Sequence, residues 1–94
     1  MVDMSAMFWG AAAFNGDVAK WGVFNVKNMK MMFRDAKTFN RDLSKWDVSS
    51  VITMDNMFSN AASFTQKLCR AAWVNSKASK IDMFKGSPGS ISQR

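Results

Sequence analysis

The chain has 94 residues, of which 48% are apolar, and 13 Lys and Arg stand against seven acids for a net charge of +6. That balance fits one domain, 1–94, and excludes a disordered charged tail. The absence of histidine and the single cysteine, Cys69, exclude Ser-His-Asp and Cys-His nucleophile systems, histidine zinc sites and an intrachain disulfide.

The predicted elements follow from a repeat. Shifted by 25 residues, 4–43 matches 29–68 at 17 of 40 positions. Met4, Met29 and Met54 align, as do Met7, Met32 and Met57, each followed by Phe8, Phe33 or Phe58. Ala11, Ala36 and Ala61 follow, then Phe14, Phe39 and Phe64. Large apolar residues at a fixed period form ladders when each unit packs on the next. The units span about 4–28, 29–53 and 54–79, with a degenerate C-terminal cap at about 80–94. The tail Gly86-Ser87-Pro88-Gly89-Ser90 is turn-rich.

Within a unit, the first element predicted is a short helix at 3–12, repeated at 26–37 and 52–61. At helical pitch Met29, Met32, Phe33 and Ala36 share an arc of about 100°. A short strand of about three to five residues is expected within 41–48, where polar and apolar residues alternate. Asn15 and Asn40 precede it at a corner where asparagine side chains can bond between units. Ser49 or Ser50 then serves as the next N-cap. The expected fold is an α/β solenoid, a leucine-rich-repeat-like stack of about three helix-turn-strand units.

The run Phe39-Asn40-Arg41-Asp42-Leu43-Ser44-Lys45-Trp46-Asp47-Val48-Ser49-Ser50-Val51-Ile52-Thr53-Met54-Asp55-Asn56-Met57-Phe58 resembles the 26-residue repeat of bacterial surface proteins. That family is also called DUF285 or BspA-like. The likeness covers about 4–68. Departures are Gly22-Val23-Phe24-Asn25 in the first unit and the displaced Ile52-Thr53. The resemblance implies a surface-exposed scaffold that binds proteins or host surfaces, and no catalytic residue or cofactor.

The candidate contact surface is Trp9, Lys27, Lys30, Arg34, Lys37, Arg41 and Lys45. Trp9 is expected to be exposed, because its counterparts are Arg34 and Ser59. Trp21 and Trp46 are expected to be buried. The basic residues suit a polyanion, weakly, or form a solvated helix face. Asp17 and Asp42 would face each other at strand spacing, but Lys20 and Lys45 stand close to neutralise them. Cys69 is either a buried free thiol or one that pairs with another chain.

The function expected is a non-enzymatic module for protein or host-surface interaction, probing a protein partner, with polyanion binding as the alternative. No apolar run reaches the roughly 18 residues of a membrane helix. No signal peptide is visible, and a cell-surface or extracellular location is implied by the resemblance alone. The first unit opens in register, so the chain is expected to be the C-terminal part of a longer array. Met4, Met7, Phe8 and Phe14 would then drive self-association through the N-terminal edge.

Overall fold

The computed structural model describes residues 3–92. The ends of the 1–94 domain and of the 80–94 cap therefore lie outside the described residues.

The stretch around Met29 shows how the chain is built. The Met32 amide donates to the Met29 carbonyl at 3.2 Å and the Ala36 amide to the Phe33 carbonyl at 3.1 Å. These are β-turns, and their third residues, Met31 and Asp35, sit at φ 58° and 61°. A left-handed residue cannot continue a right-handed helix. The same pair of turns recurs with Ala6 and Gly10, with Asn56 and Asn60, and with Asp82 and Gly86 in the left-handed position. Between the turns, alternate amides point out of the segment. Met29, Met31, Phe33 and Asp35 donate to the carbonyls of Thr53, Asp55, Met57 and Ser59 at 2.8–3.0 Å.

The helix-turn-strand solenoid is therefore corrected. Helices at 3–12, 26–37 and 52–61 do not form, and neither does a strand within 41–48, where a turn at Ser44 and Lys45 intervenes. Among the described residues the regular elements are β1 (Lys67–Leu68), α1 (Ala71–Val74) and β2 (Ser90–Ile91). The strands pair in parallel, Lys67 with Ser90 and Leu68 with Ile91. The physical reason is that a turn, like a helix, brings residues i and i+3 together. Apolar spacing alone does not separate the two. The leucine-rich-repeat likeness falls with the helices.

Successive segments still lie side by side in parallel. Isolated bridges join Asp3 to Asn28, Asn28 to Thr53 and Thr53 to Ser79. Met29, Met32, Phe33, Ala36 and Phe39 have no exposed surface. The rings of Phe8, Phe33, Phe58 and Phe84 stack at 5.4, 5.4 and 5.5 Å between centroids. Phe14, Phe39 and Phe64 form a second column at 5.9 and 6.0 Å, beside the first at 4.1 Å. Burying such a side chain contributes about 1.5–3 kcal/mol, and each ring pair roughly 0.5–1.5 kcal/mol more.

Polar groups hold the corners. The Asn15 side-chain oxygen accepts the Asn40 amide at 2.9 Å, and that of Asn40 accepts the Thr65 amide at 3.0 Å. The buried Trp46 Nε1–H donates to the Val18 carbonyl at 3.0 Å. Trp73, which a shift of 25 residues aligns with Val48, repeats the role of Trp46 and donates to the Leu43 carbonyl at 2.9 Å. The single turn of α1 carries Trp73 inward to that position, and the Asn75 amide closes the turn on Ala71. Trp21, expected to be buried, is 41% exposed. Its position in the repeat matches Trp46, but no earlier segment among the described residues covers it.

Candidate functional site

Trp9 follows Phe8 in the second turn of its segment, and its side chain is 50% exposed. Two residues from the adjoining segment hold it. The Arg34 guanidinium lies 5.5 Å from the ring centroid, and the indole Nε1–H donates to Asp35 Oδ2 at 3.2 Å. A cation over an indole face contributes about 0.5–1 kcal/mol at an exposed site. Arg34 is itself half-buried. Its Nη1 reaches Met31 Sδ at 3.7 Å, while its Nε is buried without an acceptor among the described residues. The three side chains make a fixed aromatic–guanidinium–carboxylate cluster.

The other predicted contact residues are placed differently. Lys27, Lys30 and Lys37 are exposed, but the helix face expected to align them with Arg34 is absent. Lys30 stands near enough to Asp55 to help lower its carboxyl below the ordinary value, after the larger effects of the Ser79 hydroxyl and the Ile81 amide. Arg41 donates from Nε to the Asn15 carbonyl at 2.9 Å, which fixes it at the asparagine corner. Lys45 is exposed in the turn beyond Asp42.

Asp42 is held below the ordinary carboxylate range first by the Ser44 amide, with Arg70 and Lys45 adding smaller attractions. Its Oδ1 accepts that amide at 2.9 Å, and Asp17 accepts the Ala19 amide at 3.3 Å. Both carboxylates thus serve short-range turns, in which an aspartate bonds its own backbone two residues on. Among the described residues no group of three His, Cys, Asp or Glu is placed to hold a metal. Cys69 is exposed and free of disulfide. No helix among the described residues is long and apolar enough to cross a membrane.

Two hollows escaped sequence reasoning. One, of about 560 Å³, lies between Ser49–Ile52 and the helix and loop from Ala71 to Lys77. The other, about 330 Å³, is lined by Lys80, Met83, Phe84, Ser90 and Ile91. The first sits where Trp73 departs from the repeat pattern, so that irregularity was its one signal in the sequence.

The family model described as "Mycoplasma protein of unknown function, DUF285" matches residues 1–93. No curated protein and no solved structure matches the chain.

Proposed function

This chain belongs to the DUF285 family, and from that premise we propose that it is a non-enzymatic module for protein or host-surface recognition. Trp9 carries the reading. It is half exposed, and Arg34 and Asp35 fix its ring before any partner arrives. Trp and Arg are the residues that most often dominate protein interfaces. A side chain already ordered loses less entropy on binding. The exposed Lys27, Lys30, Lys37, Arg41 and Lys45 add positive charge to the chain that favours acidic partner surfaces. The cell-surface setting of this proposal rests on the resemblance of the repeat to bacterial surface arrays.

The test is an array of extracellular proteins probed with the wild-type and Trp9→Ala chains, with heparin and single-stranded DNA as parallel ligands. The expected result is saturable binding to a protein that weakens about tenfold or more in Trp9→Ala. Binding only to heparin or DNA, falling by orders of magnitude between low and moderate salt, would replace it with the polyanion reading. Specific turnover of any substrate, abolished by Asp42→Ala, would overturn the non-enzymatic assignment.

A further inference from the structure

The two outer faces of the array of turns are chemically opposite. Met4, Ala6, Phe8 and Gly10 donate their amides to the carbonyls of Asn28, Lys30, Met32 and Arg34 at 2.8–2.9 Å. The next segment repeats this, and so does the one after it, where Met54, Asn56, Phe58 and Asn60 donate to Ser79, Ile81, Met83 and Lys85. The row therefore has a direction. On the first face, the carbonyls of Asp3, Ser5, Met7 and Trp9 accept no hydrogen bond from a described residue. On the last, the amides of Lys80, Asp82, Phe84 and Gly86 have no acceptor among the described residues. Four acceptors on one face thus repeat the spacing of four donors on the other.

The side chains follow the same logic. Met7 is 37% exposed although its counterparts Met32 and Met57 are fully buried. Phe8 and Phe14 are half-buried, whereas Phe33, Phe39, Phe58 and Phe64 have no exposed surface. Trp21 is 41% exposed, and its Nε1–H has no described acceptor, unlike those of Trp46 and Trp73. Among the described residues no segment covers them. On the opposite face the Phe84 ring ends its column half-buried, and with Met83 and Ile91 it lines the open 330 Å³ hollow.

We propose that the partner of each face is the opposite face of a second copy of this chain. The amides of Lys80, Asp82, Phe84 and Gly86 would bond the carbonyls of Asp3, Ser5, Met7 and Trp9 in the next copy, and Phe8 would extend the ring column beyond Phe84. Two like faces would set carbonyl against carbonyl along this row, so the contact is head-to-tail. A head-to-tail contact leaves one live face at each end and does not stop at a dimer.

The test uses the full 94-residue chain in sedimentation equilibrium, from about 10 μM to 1 mM, in about 0.15 M salt to screen the repulsion of its net charge. Wild type should rise from 10.5 kDa past twice that mass. Met7→Glu disables the first face and Ile91→Glu the last, so each variant alone should remain monomeric. Their equimolar mixture should give a 1:1 dimer and nothing larger, because one live face of each kind remains. A wild type that stays monomeric throughout overturns the proposal, as does an Ile91→Glu variant that dimerises by itself. If either variant loses its folded circular dichroism, Trp21→Glu and Ser90→Glu carry the same two arms.

Discussion

Replacing Met31 by glycine distinguishes linked turns from a helix by the sign of the effect. Met31 sits at φ 58° in the third position of its turn. An L side chain in the left-handed region costs about 1–2 kcal/mol. Glycine removes that strain but loosens the unfolded chain, which costs about 0.4–1 kcal/mol. The Met31 side chain is partly buried, so the reference is Met31→Ala, which loses the same side-chain contacts but keeps the left-handed strain. Against that reference glycine should be more stable by roughly 0.5–1 kcal/mol. In a helix interior glycine would instead be less stable than alanine by about 0.8–1 kcal/mol. At about 4–8 °C per kcal/mol for a domain of this size, thermal unfolding followed by circular dichroism should show the glycine variant melting roughly 2–8 °C above the alanine variant. Asn56 occupies the equivalent position one segment later. Met31→Asn should therefore also melt above Met31→Ala, since asparagine tolerates this backbone better than alanine does. A glycine variant that melts below the alanine variant would refute the turn assignment.

Two further outcomes follow from the ring column and the carboxylates. Phe33→Ala should cost about 3–5 kcal/mol and Phe8→Ala roughly half as much, because Phe33 is fully enclosed and Phe8 has one open side; equal losses in urea unfolding would show that coverage by a neighbouring segment is not what matters. The carboxyls of Asp3, Asp42, Asp47 and Asp55 are all lowered in the folded chain, by the Ser5 amide, the Ser44 amide, the Ser49 hydroxyl and the Ser79 hydroxyl respectively. A depressed folded pKa gives stability that is fully present above the unfolded value of about 3.9 and is lost as pH falls through the folded value. Tm should thus decline on acidification below about pH 4, and Asp55→Asn should lessen the decline; a Tm that rises over that range would contradict the hydrogen-bonded carboxylates.

The register of the chain was legible because repetition is a property of sequence. Aligning Met4, Met29 and Met54 anticipates the bridges Asp3–Asn28 and Asn28–Thr53 one residue earlier. The ladders of Met32, Phe33, Ala36 and Phe39 and the bonded asparagine corner follow from the same alignment. Trp9 was legible as exposed because its counterparts are polar. Its clamp was not, because Arg34 and Asp35 stand 25 and 26 residues away and reach it only when the segments lie side by side.

By itself the sequence determined the family, the period and the apolar ladders, since these depend on residue type at fixed spacing. Tertiary structure decided between helix and turns. An amide in a helix must bond within its own segment, whereas here alternate amides find their acceptors on the next one. It also decided that Trp46 is buried and Trp21 is not. The two residues are identical in type and position, and only the presence of a neighbouring segment removes one of them from water.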